Sequence, residues 1–302
     1  LQRITQGIIS NQMLRNINTN LHKLDNYQNM ESTGRKINKP SDDPVGITYA
    51  LRYRSEIAMN EQYQKNMDTA QASLQHVDTV LGQVGELINR VKEITVQGLN
   101  GTNSPTALSA IGQEISQLYN HLVSLGNDQL NGKYIFNGQF TDKQPYTVAN
   151  AGTEQTDTES IDYKFAAGVT VAVNITGDEV FGVATGSPGD TGDNLFSVFK
   201  GLANAFNSND PNAATPLLES LNSRADKLLN ARADIGARTN RLEFIDNRIK
   251  DLDLNLNELS GKTEDADITD VIMKLNMSQN VYQASLSVGA KVIQPSLLDF
   301  LR

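Results

Sequence analysis

Apolar residues recur along this chain at intervals that alternate between three and four. The longest unbroken run, Tyr63, Met67, Ala70, Leu74, Val77, Leu81, Val84, Ile88 and Val91, puts a single narrow stripe on one helix. From Tyr63 to Leu99 the pattern predicts a rod ~55 Å long at ~1.5 Å per residue. The stop NGTNSP at positions 100–105, with Pro105 suited to a first helical turn, precedes a second run through Leu108, Ile111, Ile115, Leu118, Leu122 and Leu125. The two helices are therefore expected to fold back on each other. A third run extends through Leu218, Leu221, Ala225, Leu228, Ile235, Leu242, Ile245, Ile249, Leu252, Leu256 and Leu259, with Gly236 as a weak point.

The two ends carry the same signature more thinly. Ile4, Ile8, Leu14, Ile17, Leu21 and Leu24 line one face near the start, and Ile272, Leu275, Tyr282, Leu286, Ile293, Leu297 and Phe300 line one near the end. Asn11, Gln28, Gln279 and Gly289 interrupt them. Stripes this thin do not hold an isolated helix in water, so both ends are expected to serve as assembly seams that order on a partner. Between about 131 and 190 the period switches to alternation, in KYIFNGQF, IDYKFAAG and VTVAVNITG, which predicts strands. The expected fold is mainly α, an elongated long-helix bundle with a small inserted β domain. Its expected divisions are 1–40 with 262–302 as terminal coiled-coil segments, disordered in the free chain, 41–130 with 191–261 as the helical rod, and 131–190 as the β insertion.

Composition narrows the chemistry. Hydrophobic residues make up 38% and aromatics 6% of the 302 residues, with no Trp, which suits narrow seams better than a thick core. A net charge of −9 without a Lys/Arg cluster gives no footprint for nucleic acid. Having no cysteine excludes disulfides and thiol chemistry. The opening LQRITQGIISNQMLRN lacks the apolar core of a secretory signal, and no stretch approaches the ~18 apolar residues of a membrane span.

Two adjacent carboxylates in KINKPSDDPVGITYA, positions 36–50, are the most conspicuous candidate site. No supporting ligand cluster stands at a useful spacing, so no metal is expected there. Asn38, Pro40, Asp42, Asp43 and Pro44 instead predict an inter-domain link, with Asp43 capping a helix whose first residue is proline. His22, His76 and His121 lie far apart and are expected on solvated helix faces. The acidic runs GDTGD at 189–193 and EDAD at 264–267 are read as solvated loops or caps, with Asp267 at a helix start. No nucleophile elbow, P-loop or dinucleotide fingerprint occurs, and neither catalytic residues nor a cofactor are expected. Gly82, Gly85 and Gly98 interrupt the rod where alanine would be the better helix former, and are expected to permit close approach or bending.

Three blocks carry a family resemblance: RITQGIISNQMLRNINTN, STGRKINKPSDDPVGITYALRYRSEI and EDADITDVIMKLNMSQNVYQASLSVGAKVIQPSLLDFL. They resemble the two ends of bacterial flagellins and their relatives. NGKYIFNGQFTDKQPY, at 131–146, is more similar to the branch that joins hook to filament than to the filament subunit. The resemblance implies a non-enzymatic subunit of an extracellular tubular assembly, exported without a cleavable signal. Its implied partners are identical subunits, the adjacent hook-associated protein, flagellin, and an export chaperone bound near the C-terminus. It implies that Arg3 to Leu24 and Ile272 to Phe300 form the inner helices and that Gly34 to Pro44 links the shells. A short flagellin is the rival within the family, and an enzyme or adhesin activity in 131–190 the rival outside it.

Overall fold

The computed structural model of the protein describes residues 2–101 and 103–293. Seven α-helices dominate the described residues: α1 (Gln2–Thr33), α2 (Pro44–Gly98), α3 (Pro105–Gly126), α4 (Gly177–Phe181), α5 (Leu195–Asn207), α6 (Ala214–Glu264) and α7 (Ile268–Ile293). Two antiparallel hairpins complete the fold, β1 (Gln129–Leu130) with β2 (Lys133–Tyr134), and β3 (Asp162–Ala166) with β4 (Val169–Ala172). The chain is thus mainly α with a small β region, as its periodicities predict.

Two compact units form, one from the residues up to Met59 together with those from Asp251 onward, the other from Asn60–Lys250. The divisions fall inside α2 and α6 and not at 40 and 262. The first turns of α2 join the first unit because the link packs on them: Ile37 is buried against Gly46, where a Cβ would strike its Cδ1 at 2.6 Å. Residues 131–190 do not separate either. Their side chains Phe136, Tyr146, Phe165 and Phe181 sit in the same core as the helices of Asn60–Lys250.

In that second unit α2 buries Met67, Ala70, Leu74, Val77, Leu81, Val84, Ile88 and Val91, the stripe that the alternating spacing defines. α6 passes unbroken through Gly236 and buries Leu221, Leu228, Ile235, Leu242 and Ile249, one residue per heptad. Ser104 starts α3 by accepting a bond from the Ala107 N–H, with Pro105 in the first turn. α5 has no counterpart in the sequence-based expectations. Its LFSVFKGLANAF carries a clear helical stripe, with Leu195, Phe196, Val198, Phe199, Leu202, Ala203 and Phe206 buried and Ser197, Lys200 and Asn204 on the opposite face, but the stripe spans only about three turns. Asn194 caps it, accepting from the Ser197 N–H at 3.1 Å.

An aromatic cluster closes the core. Phe181 meets Phe136, Tyr146 and Phe196 at centroid distances of 5.1, 5.5 and 5.0 Å, the first two edge to face. The long return from β2 to β3 is held by amides: Asn127 exchanges two bonds with the Tyr146 backbone, and Asn137 donates to the Phe140 and Lys143 carbonyls while accepting from the Asp157 N–H. Most of 131–161 is therefore irregular, because side-chain amides satisfy backbone groups that a strand ladder would otherwise take.

Arg224 and Asp193 form a buried pair at 2.6 Å, each side chain 4% exposed, with Lys227 on the second carboxylate oxygen at 2.7 Å. Burial alone would raise the Asp193 carboxyl, but bonds from Lys227, Thr191 and Arg224 outweigh it and bring it down to about 2. The acidic GDTGD run is thus partly a buried anchor and not only a solvated loop.

Of the three rod glycines, only Gly98 stands at a close approach: a Cβ there would run into the Phe206 ring, whereas one at Gly85 would meet nothing nearer than Leu228 at 3.8 Å and one at Gly82 nothing nearer than Arg232 at 3.9 Å. Gly85→Ala is accordingly expected to stabilise the protein by about 0.5–1 kcal/mol through helix propensity. Gly98→Ala is expected to destabilise it by about 1–3 kcal/mol through overpacking, both read from denaturant midpoints. Because the folded carboxyl of Asp193 lies below its unfolded value, its contribution is complete above about pH 4 and is lost as pH falls toward 2. Asp193→Asn should therefore flatten the acid limb of a stability-against-pH curve by about 2 kcal/mol.

Candidate functional site

α1 and α7 lie antiparallel on each other in the first unit. Between Ser10 and Tyr27 of α1 the less exposed positions are Ser10, Met13, Ile17, Asn20, Leu24 and Tyr27, and between Val271 and Lys291 of α7 they are Val271, Leu275, Ser278, Tyr282, Ser285 and Gly289. Both sets alternate three and four. The seam is narrow and partly polar: Asn20 Nδ2 donates to Ser285 Oγ at 2.9 Å, and a Cβ at Gly289 would touch Met13 and Ile17 at 3.3 and 3.5 Å. Gly289 thus lets α7 come close to α1 rather than merely interrupting a stripe.

This register divides the sequence-predicted seam residues in two. Ile17, Leu24, Leu275 and Tyr282 turn toward the partner helix. Ile8, Leu14, Leu21, Ile272 and Leu286 face outward, 59, 50, 44, 41 and 44% exposed. Met273, Met277, Val281 and Val288 are exposed beside them. The side chains of Ile4 and Ile293, and residues Leu297 and Phe300, lie outside the described residues. The pair therefore carries a second apolar surface that α1 and α7 do not cover for each other.

At the base of the pair two linkers meet. Gly34 ends α1 at a φ of 70°, a left-handed conformation glycine adopts without strain, with its N–H on the Met30 carbonyl at 2.9 Å. The Lys36 N–H donates to the Glu264 carbonyl at 2.7 Å, and the Ala266 N–H to the Gly34 carbonyl at 2.9 Å, so the linkers form an isolated antiparallel bridge. Glu264, its side chain 3% exposed, accepts from the Arg54 guanidinium and stands 3.6 Å from Arg35. The first linker, the N-terminal part of α2 and the end of α6 are tied at one carboxylate.

The paired aspartates are consumed locally. Pro40 lies in a turn closed by the Asp42 N–H on the Lys39 carbonyl, and Asp42 Oδ2 accepts from the Asn38 and Lys39 N–H groups at 3.0 and 2.8 Å. Asp43 Oδ1 accepts from Val45 and Gly46 at 3.1 and 2.9 Å, ahead of Pro44 in the first turn of α2. Asp267 caps α7 in the same way, accepting from Thr269 and Asp270. Sequence reasoning missed Glu264, read as part of an acidic cap, because its arginine partner is 210 residues distant. Likewise His76 is not merely solvated but pairs with Asp128 at 2.7 Å, while His22 and His121 are exposed. Among the described residues no group of three or more His, Asp or Glu side chains is placed to hold a metal ion. No helix there is long and apolar enough to cross a membrane.

The helical ends match two family models, the bacterial flagellin N-terminal helical region over residues 4–141 and the bacterial flagellin C-terminal helical region over residues 218–301. The chain is 27% identical to flagellar hook-associated protein 3 of Escherichia coli K12, over 94% of each chain. It is 26% identical to the flagellar filament 33 kDa core protein of Treponema phagedenis, again over 94% of each. Its fold is similar to the solved structure of a flagellar hook-associated protein of Vibrio parahaemolyticus, with a TM-score of 0.67, 24% identity, and coverage of 74% of this chain and 100% of that one. Two helical ends that match in sequence order and pair in the fold make this chain a member of the bacterial flagellin family.

Proposed function

We propose that this protein is a structural adaptor of the bacterial flagellum, joining hook to filament by packing against identical subunits and against the hook-associated protein and flagellin on either side. The observation that carries the reading is the likeness to hook-associated protein 3 over 94% of both chains, so that the inserted segment is matched as well as the ends. The apolar surface left open on α1 and α7 supplies what such packing requires: many weak contacts along a long seam. The protein works outside the cell as part of the flagellum, is held before export by a chaperone near its C-terminal end, and has no catalytic role.

The filament reading has its own support in the equally extensive likeness to the Treponema filament core protein. Polymerisation distinguishes the two. Purified chain that grows long filaments unaided is a filament subunit, and chain that stays monomeric without hook components is the adaptor.

Two mutational outcomes are expected. Leu14→Asp combined with Leu286→Asp leaves the thermal unfolding of Asn60–Lys250 within about 0.5 kcal/mol, since both side chains are exposed in the free chain, yet abolishes swimming; normal motility in the double variant would reject the seam. Glu264→Gln destabilises the link by about 2 kcal/mol, less than a fully buried pair because Arg54 is partly exposed. Hydrogen exchange reads it out as lost protection at the Lys36 and Ala266 amides, with the amides of α2 from Met67 to Val91 unchanged.

A further inference from the structure

A groove of 950 Å³ opens in the second unit between the β1–β2 hairpin and β3, floored by the α2 stretch from Asp68 to Val77. Tyr134 and Tyr163, both half-buried, line it. Among the described residues the hydroxyls of Ser73, Thr141 and Ser160 and the two tyrosine phenols have no hydrogen-bond partner. We propose that this groove binds a short neutral oligosaccharide, its ring faces stacked on Tyr134 and Tyr163 and its hydroxyls bonded to these five groups and to the Asn131 amide.

Other occupants fit less well. An extended peptide would add to the sheet edge, but that edge is already capped by side chains. Gln139 donates to the Ser160 carbonyl, Asn66 to the Lys164 carbonyl, and Asn174 to the Glu159 carbonyl while accepting from the Ile161 N–H. An anion meets two carboxylates, Asp68 and Asp162, against one cation, Lys133. A purely apolar ligand would leave the open hydroxyls desolvated without partners. A sugar presents an apolar ring face and a rim of hydroxyls that both donate and accept, which matches aromatic walls interleaved with hydroxyls. The site is independent of α1 and α7 and stands whether the subunit belongs to the junction or to the filament.

The test is isothermal titration of the full chain with maltotetraose, cellotetraose and chitotetraose as neutral probes, 3′-sialyllactose as an acidic probe and the hexapeptide Ser-Val-Ser-Val-Ser-Val as an extended one. At least one neutral probe is expected to bind saturably, and more tightly than the acidic probe or the peptide. Tyr163→Val, which keeps a strand-forming residue, is expected to weaken that binding about tenfold by removing one stacking face. Ser73→Phe, which fills the floor from α2, is expected to abolish it with the circular dichroism spectrum unchanged. Failure of all three neutral probes, preference for sialyllactose or the peptide, or unaltered affinity in both variants overturns the proposal.

Discussion

A helix buries only the face it turns to a neighbour, and α1 and α7 turn to each other faces that are partly serine, asparagine and glycine. Ser10, Asn20, Ser278, Ser285 and Gly289 occupy the seam while Ile8, Leu14, Leu21, Ile272 and Leu286 lie outside it. The pair thus commits its small residues to internal approach and keeps much of its large apolar area open. Every other feature of the first unit serves this arrangement. Gly34 and Asp267 set where the two helices end and start, and the bridge between the linkers fixes them side by side.

The second unit solves the opposite problem. α6 presents one buried residue per heptad and α2 a stripe one or two residues wide, too narrow for a thick core, and the deficit is made up by aromatic side chains from irregular segments. Phe136, Tyr146 and Phe181 reach inward from the inserted region and Phe196 from α5, so the insertion is part of what holds the long helices together. That is the physical reason it forms no unit of its own.

Legibility followed the range of the interaction. The α2 and α3 stripes, the proline-started helices and the asparagine- and aspartate-capped turns depend on residues within about one heptad of each other, and the chain order displays them. α5 escaped although its stripe is clear, because its 13 residues are short beside the long rods and stand next to a Gly- and Asp-rich loop. The register of α1 was only half visible: apolar spacing marks Leu14 and Leu21 as readily as Ile17 and Leu24, and only the partner helix decides between them. Glu264 and Arg54, or Gly98 and Phe206, meet through tertiary folding alone, and no local pattern announces them.

The bridge between the linkers has a mechanical consequence. Each linker is covalently continuous from a terminal helix to a long one, and the bridge ties the two backbones side by side. A displacement of one linker along the other would slide Gly34–Lys36 past Glu264–Ala266. Two main-chain hydrogen bonds and the Arg54 and Arg35 contacts of one carboxylate then resist together as a shear joint. Resistance to that sliding is concentrated at Glu264, whose carbonyl and carboxylate both take part.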